Sequence, residues 1–172
     1  EEAFTNAKRE GEAYFDNDTA YVVDEFAPDF EQRRLQEFLD NDRQAPFFLY
    51  YNISLPHMPL LDAPEEYLTL YDKAFVPRRP NVRSPDDPKY LQFWLETYLV
   101  KYHKRAPRTA FQHKGENFDL DDMTAFYYGL VTCVDDQVGA LVRHLEQRRL
   151  LDNTLIVFLS DHGDMLGSHA RF

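Results

Sequence analysis

The chain has few of the residues that mark several common classes of protein. Its 172 residues include one cysteine, Cys133, which excludes a disulfide framework within the chain. Six glycines are too few for a collagen-like or glycine-rich repetitive sequence. No apolar run approaches the roughly 20 residues of a membrane-spanning helix, so we predict no membrane segment. Acidic residues outnumber basic ones, 30 to 19, which argues against nonspecific binding to nucleic acid.

What is present fits one globular domain. Hydrophobic residues make up 44% of the chain and aromatic residues 15%, which is enough for a sizeable core. The chain begins with Glu1 rather than methionine, and it ends just after a polar cluster. We therefore expect residues 1–172 to be an internal segment that forms part of one domain. The net charge of −11 leaves an anionic substrate possible, because a bound divalent cation reverses the local field.

Three segments have the three- and four-residue apolar spacing of amphipathic helices. They are residues 27–46, 89–105 and 119–151, and the last has the clearest pattern. Acidic residues stand near its start and arginines near its end, which matches the helix dipole.

Two other segments are continuous apolar runs of strand length. Residues 47–53, FFLYYNI, and 154–159, TLIVFL, predict strands that are buried on both faces. Helices alternating with such strands predict an α/β fold, with a mostly parallel sheet flanked by helices. Residues 62–120 are rich in proline and predict an irregular excursion away from the sheet.

Polar residues follow both predicted strands, where ligands bind in open α/β sheets. Asp161 and His162 come directly after the second strand, and a carboxylate with an imidazole suits a divalent cation. A capping aspartate and a solvated histidine are the alternative, and we favour the metal site. His57, in a proline-rich loop after the first strand, suits hydrogen bonding to an oxyanion or protonation of a leaving group. A histidine satisfied by loop carbonyls fits His57 equally well.

His169 is a candidate substrate-binding residue, although the residues alone favour another interpretation of the segment around it, the first turn of a helix or an ordered lid in which His169 packs. Arg78, Arg79 and Arg83 lie in the excursion, where they could meet an anionic sugar. For each arginine singly, a solvated basic loop is the more ordinary interpretation.

Two stretches carry a resemblance to a known family. APFFLYYNISLPHMPLLDAPEEY, residues 45–67, is similar to the strand and loop of sulfatases, where Pro-Phe-Phe-Leu leads to Pro-His-x-Pro. Residues 127–169 resemble the family's long helix, turn and metal-binding strand end. The resemblance implies an alkaline-phosphatase-like fold and hydrolysis of a small-molecule or carbohydrate sulfate ester. It implies that Asp161 and His162 ligate a divalent cation, usually Ca²⁺ in sulfatases, and that His57 contacts the sulfate or the leaving oxygen.

The resemblance also implies what these residues do not supply. The sulfatase nucleophile is a formylglycine made from cysteine in a Cys-x-Pro-x-Arg stretch, whereas Cys133 is followed by Val-Asp-Asp-Gln. We expect the formylglycine and a pair of aspartate ligands upstream of residue 1, so that the segment alone is inactive. Many members of the family are exported, which makes a periplasmic or extracellular location compatible with the resemblance. A phosphonate or phosphate ester hydrolase that uses Mn²⁺, and a non-enzymatic domain that kept the fold, are the alternatives.

Overall fold

The computed structural model describes most of the chain: residues 13–16, 18–22, 25–41, 45–58, 60–83 and 118–171, with Lys89 and Trp94. The chain divides into two compact units. One comprises Glu1–Leu55 and Val134–Val157, and the other Pro56–Cys133 and Phe158–Phe172. The helix predicted over residues 89–105 lies outside the described residues except at Lys89 and Trp94.

The first unit begins with a β-hairpin that the sequence did not predict. Strands β1 (Ala13–Asp16) and β2 (Thr19–Val22) pair antiparallel, with Ala13 opposite Val22 and Asp16 opposite Thr19. Asn and Asp, which occupy the two positions between the strands, are residues that tight hairpin turns favour. This two-stranded sheet is the only one among the described residues.

Helix α1 (Ala27–Asp40) confirms the first predicted helix and ends six residues before the predicted limit. A proline stands in its first turn, where a missing N–H has no intrahelical partner to lose. Of the predicted apolar stripe, Leu35 and Leu39 are buried and Phe38 is half-buried, and Phe30 is buried as well. The Gln32 side chain adds a buried hydrogen bond of 2.6 Å to the carbonyl oxygen of Gln137.

The longest helix, α3 (Leu120–Gln147), confirms the clearest prediction; a short helix, α2 (Glu65–Leu68), precedes it. Asp119 caps the start of α3, because its Oδ1 accepts hydrogen bonds of 2.9 Å from the backbone N–H groups of both Asp121 and Asp122. The helix has 28 residues, and its first half belongs to the second unit and its second half to the first. No helix in the described part of the chain is long and apolar enough to cross a membrane.

The described start of the predicted excursion, residues 62–83, is more ordered than expected. It contains α2 and a 3₁₀ turn, Lys73–Phe75, and follows another, Leu60–Asp62. Leu60, Leu61 and Leu68 are essentially inaccessible to solvent and form the core of the second unit with apolar residues of α3. Side chains that contribute from α3 are Leu120, Met123, Phe126 and Leu130. Within residues 62–83 the prolines thus separate short helical turns that pack, and the rest of the predicted excursion lies outside the described residues until Phe118, apart from Lys89 and Trp94.

The prediction that residues 47–53 and 154–159 are strands buried on both faces was wrong for this structure. Both segments lack helical structure, but neither forms a strand of a sheet among the described residues. Phe48 is 88% exposed and Leu155 is 90% exposed. A parallel strand becomes buried only between neighbouring strands and under helices on both faces, and the described residues provide no such neighbours.

Candidate functional site

Asp161 and His162 follow the second apolar segment and are side by side in space. The Asp161 Oδ2 and His162 Nε2 atoms are 3.6 Å apart, and the two side chains are 89% and 72% exposed. Asp161 Oδ1 accepts a hydrogen bond of 2.8 Å from the backbone N–H of His162, which fixes the carboxylate beside the ring. The chain therefore does not point the two side chains to opposite sides, as a regular strand would.

The orientation of the His162 ring leaves one nitrogen available. Its Nδ1 lies 3.2 Å from the carbonyl oxygen of Gly163. A carbonyl oxygen can only accept, so Nδ1 carries the proton and Nε2 carries the lone pair of the neutral ring. A histidine that ligates a metal through one nitrogen commonly donates its other N–H in this way.

His57 has the same arrangement at the other predicted position. Its Nδ1 donates to the carbonyl oxygen of Met58, 2.7 Å away, and the side chain is exposed. This is the loop-carbonyl contact that the sequence left as an alternative, and it occupies only one of the two ring nitrogens. Nε2 therefore remains able to accept a proton or, when protonated, to donate a hydrogen bond.

The segment after His162 folds into a tight turn with unusual backbone angles. Leu166, Gly167, His169 and Ala170 all have positive φ, at 42°, 83°, 53° and 55°. For residues other than glycine this conformation costs about 1–2 kcal/mol each, so surrounding contacts must hold it. The Arg79 guanidinium supplies one such contact, because it donates to the carbonyl oxygens of Met165 and Leu166.

His169 lies in this turn and is held by Asn81. The Asn81 Nδ2 and His169 Nε2 atoms are 3.1 Å apart, and the His169 backbone N–H donates to the Asn81 carbonyl oxygen at 2.9 Å. An isolated antiparallel bridge between Val82 and Ser168 adjoins these contacts. His169 remains exposed. The sequence did not predict a role for Asn81 or Arg79 here, and their position between prolines was the only local signal.

A cleft of about 220 Å³ opens beside the turn in the second unit. Its wall includes Val82, Tyr127, Asp164 and Leu166. Burial, together with the neighbouring Asp164 carboxylate, raises the pKa of Tyr127 to about 12. The phenol is therefore a neutral hydrogen-bond donor to Asp164 at ordinary pH.

The three arginines of the excursion have different surroundings. Arg78 makes a two-bond ion pair with Asp121, and both N···O distances are 2.6 Å. This carboxylate raises the pKa of Arg78. Arg79 is engaged with the turn, and Arg83 uses its backbone N–H to reach the carbonyl oxygen of Gly167 at 3.1 Å. Arg78 and Arg79 are thus engaged in contacts within the chain.

The four predicted site residues are brought together only in part. Asp161 and His162 form a pair, whereas no hydrogen bond or ion pair in the described part of the chain joins them to His57 or His169. Among the described residues, no group of three or more His, Cys, Asp or Glu side chains is placed to hold a metal ion. The pair offers one oxygen and one nitrogen donor, which is part of a coordination sphere rather than a complete one.

In open α/β sheets ligands bind just past the carboxyl ends of the strands, and the acid and imidazole groups of this chain follow its two apolar segments in that way. The Sulfatase family model matches residues 7–171, so the chain belongs to the sulfatase family. It is 32% identical over 147 residues to the multifunctional alkaline phosphatase superfamily protein PehA of Trinickia caryophylli, covering 81% of this chain and 28% of PehA. It is 31% identical over 156 residues to an arylsulfatase of Clostridium perfringens, covering 90% of this chain and 28% of that protein.

Solved structures agree with this assignment. The chain superposes on the sulfatase candidate yidJ of Bacteroides fragilis with a TM-score of 0.67 and 25% identity, covering 97% of this chain and 32% of yidJ. The fold class is therefore α/β and alkaline-phosphatase-like, as predicted, although the parallel sheet itself is not formed among the described residues. The chain spans between a quarter and a third of the length of these relatives.

Proposed function

We propose that this chain is part of the catalytic domain of a metal-dependent sulfuric ester hydrolase and supplies part of its metal and sulfate site. The observation that carries the proposal is the pairing of Asp161 Oδ2 with His162 Nε2 at 3.6 Å. That separation is too long for a hydrogen bond between them, so both atoms can face one cation. Their high exposure leaves room for the cation and for ligands from elsewhere in the protein.

The donor set suits a divalent cation of intermediate character. The carboxylate of Asp161 suits both Ca²⁺, which takes about six to eight oxygen ligands, and Mn²⁺, whereas the imidazole of His162 suits a transition metal better than Ca²⁺. We propose Ca²⁺ first, with Mn²⁺ as the alternative. The bound cation would offset negative charge on the ester group. Asp161 and His162 fit this role as two ligands of a larger set.

His57 and His169 are the proposed groups for the ester itself. His57 has its Nδ1 fixed by Met58, so Nε2 is the atom that would donate a hydrogen bond or proton to the leaving oxygen. His169 is exposed, and Asn81 holds its ring. Both roles require that the completed protein bring these side chains to the Asp161–His162 pair.

The nucleophile is proposed to lie outside residues 1–172. Cys133 is completely buried inside α3, where a thiol behaves as a small apolar group and cannot reach a substrate. A formylglycine in another part of the protein is the nucleophile that sulfatase chemistry requires. We propose on this basis that residues 1–172 alone do not turn over a sulfate ester.

The relatives support a proposal for the class of substrate. One relative, 26% identical over 160 residues, is the ulvan-active sulfatase of Formosa agariphila, whose name indicates a carbohydrate substrate. We propose a carbohydrate or small-molecule sulfate ester for the present protein. Hydrolysis of phosphate or phosphonate esters is a second candidate, because the relative at 32% identity is described as multifunctional within the alkaline phosphatase superfamily.

Parallel assays of the full-length protein test the proposal. We expect hydrolysis of an aryl sulfate to exceed hydrolysis of an aryl phosphodiester, and Asp161→Asn to lower kcat/KM at least a hundredfold, by rough analogy with loss of a metal ligand or its support. Asp152→Asn is the matched control, since Asp152 is an exposed aspartate in the 3₁₀ turn Leu151–Asn153 and is not among the proposed site residues. Preference for the phosphodiester would favour the second candidate. Absence of both activities would favour a domain that kept the fold without the chemistry.

A further inference from the structure

Four contacts tie residues 81–83 to the turn after the Asp161–His162 pair. Two are backbone hydrogen bonds: His169 N–H to Asn81 O at 2.9 Å and Arg83 N–H to Gly167 O at 3.1 Å. Two involve the side chain of Asn81: its Oδ1 accepts from Ser168 Oγ at 3.4 Å, and its Nδ2 lies 3.1 Å from His169 Nε2. The backbone bonds fix where the two segments meet, and the side-chain contacts fix how the His169 ring is turned.

The chemistry of the amide determines which nitrogen of His169 carries a proton. With Oδ1 accepting from Ser168, the Asn81 amide presents its N–H group to the ring. An amide N–H can only donate, so His169 Nε2 must accept and must be unprotonated. The proton of the neutral ring therefore lies on Nδ1, and His169 becomes a hydrogen-bond donor through that atom.

We infer that Asn81 is a positioning residue that selects the Nδ1-protonated tautomer of the His169 ring, so that Nδ1–H can donate to an oxygen of an anionic ester. The inference rests on the proposed function for the identity of the ligand, but not for the state of the ring. A ring that presents Nδ1–H to an anionic oxygen acts on it as a hydrogen-bond donor. Asn81 acts only through His169.

Nitrogen-15 NMR of the full-length protein, labelled at histidine, reads the state of the ring directly. The His169 signals are assigned by their loss in His169→Gln. We expect a protonated Nδ1 and an unprotonated Nε2 in the natural sequence. Asn81→Asp keeps the shape of the side chain but replaces the donor with an acceptor, and we expect it to place a proton on Nε2. Asn153→Ala is the control, because Asn153 is an exposed asparagine of the 3₁₀ turn Leu151–Asn153, and this substitution should leave the His169 signals unchanged.

Kinetics with an aryl sulfate supply a second measurement. Loss of one oriented hydrogen bond predicts a fall of about tenfold in kcat/KM for Asn81→Asp, mainly through a higher KM. Asn81→Ala should produce a smaller shift of the tautomer, because it removes the donor without adding an acceptor. An unprotonated Nδ1 in the natural sequence, or the same ring state in Asn81→Asp, would overturn the inference.

The two experiments separate this inference from the proposed function. The protein could lack sulfate and phosphate ester activity while His169 still changes its protonated nitrogen in Asn81→Asp. That result would contradict the proposed function and support the positioning by Asn81. If the protein is active but the protonated nitrogen of His169 is the same in Asn81→Asp, the positioning by Asn81 is contradicted and the proposed function is supported.

Discussion

The carbonyl oxygen of Tyr67 lies in the space that a Cβ atom on residue 129 would occupy. Gly129 is in the middle of α3, and the end of α2 packs directly on its backbone. The overlap would involve the Tyr67 carbonyl carbon as well as its oxygen, so a rotation of one side chain could not relieve it. The buried Leu68 is the next residue along α2. Close packing of α2 on α3 in the second unit therefore depends on a glycine in a helix interior, where glycine is otherwise unfavourable.

Gly129→Ala should destabilise the protein although alanine is the better helix former. The gain in helix propensity is about 1 kcal/mol, and forcing the backbone of α2 away costs about 1–3 kcal/mol or more. Gly139→Ala is the control on the same helix, because its Cβ meets only the movable end of Arg143, at 3.0 Å. We expect the urea midpoint to fall for Gly129→Ala and to stay or rise for Gly139→Ala. Equal midpoints for the two variants would show that α2 does not pack on Gly129.

Asp119→Ala should weaken the start of α3. The Asp119 carboxylate accepts from two backbone N–H groups, and Asp122 Oδ2 accepts in return from the Asp119 N–H at 2.9 Å. Loss of such a cap costs about 0.5–2 kcal/mol. Asp119→Asn retains an acceptor oxygen and should lose much less, as measured by urea unfolding at neutral pH. A loss in Asp119→Asn as large as in Asp119→Ala would mean that charge, and not capping, is what Asp119 contributes.

The Asp119 carboxylate also predicts that the stability of the folded protein falls at acid pH. Burial opposes ionisation of Asp119, but hydrogen bonds from the Asp122 N–H and from Lys73 outweigh it and lower the pKa from 3.8. A carboxyl whose pKa is lower in the folded state contributes its stability above pH 3.8 and loses it as the pH falls through the folded value. Asp119→Asn should therefore lose less stability than the natural sequence below pH 3.8.

Local pattern was sufficient to predict α1 and α3, but not the short helix α2. α1 and α3 contain strong apolar periodicity, a proline in a first turn or a capping acid, and neither depends on distant residues for its backbone hydrogen bonds. The limits were less accurate, because capping rather than periodicity decides them. Asp119, one residue before α3, illustrates this, since the sequence drew attention to the acids inside the helix instead.

The strands could not be predicted in the same way. Residues 47–53 and 154–159 have the composition of central strands, but a strand exists only where another strand pairs with it. The β1–β2 hairpin shows the converse, because its partners are separated by two residues and it forms despite a weak pattern. The sequence identified the Asp161–His162 pair from its place after an apolar run. It missed Asn81, because the contact with His169 spans 88 residues.

Gly167→Ala should destabilise the turn that follows the Asp161–His162 pair. Gly167 has φ 83°, and an added Cβ would also press on the Leu120 side chain. Strain and overpacking together predict a loss of about 1–3 kcal/mol. Gly163→Ala is the control, since its Cβ would meet open space. Thermal unfolding of both variants checks this, and a loss in Gly163→Ala equal to that in Gly167→Ala would contradict the geometric explanation.

Tyr127 predicts a loss of stability at high pH. Its phenol has a pKa of about 12 in the folded chain against 10.0 ordinarily, so the folded state holds the proton more tightly. A raised folded pKa gives a contribution that is complete below pH 10 and disappears as the pH rises to about 12. Tyr127→Phe should lose about 1 kcal/mol at pH 8, where it lacks the hydrogen bond to Asp164. The difference between the two proteins should shrink from pH 10 upward, and a constant difference would contradict the burial of the phenol.

Added Ca²⁺ or Mn²⁺ should stabilise the full-length protein through Asp161 and His162. A ligand that binds only the folded state at about 100 times its Kd adds roughly 2.7 kcal/mol, so thermal unfolding should shift upward with metal concentration. Asp161→Asn and His162→Ala each remove one donor from the pair and should reduce both this shift and the metal content measured by mass spectrometry. Asp152→Asn removes an equal charge elsewhere and should leave both unchanged. Metal binding that survives both substitutions would place the cation on other residues. A shift produced equally by Mg²⁺ would indicate a hard oxygen site, in which the imidazole of His162 takes no part.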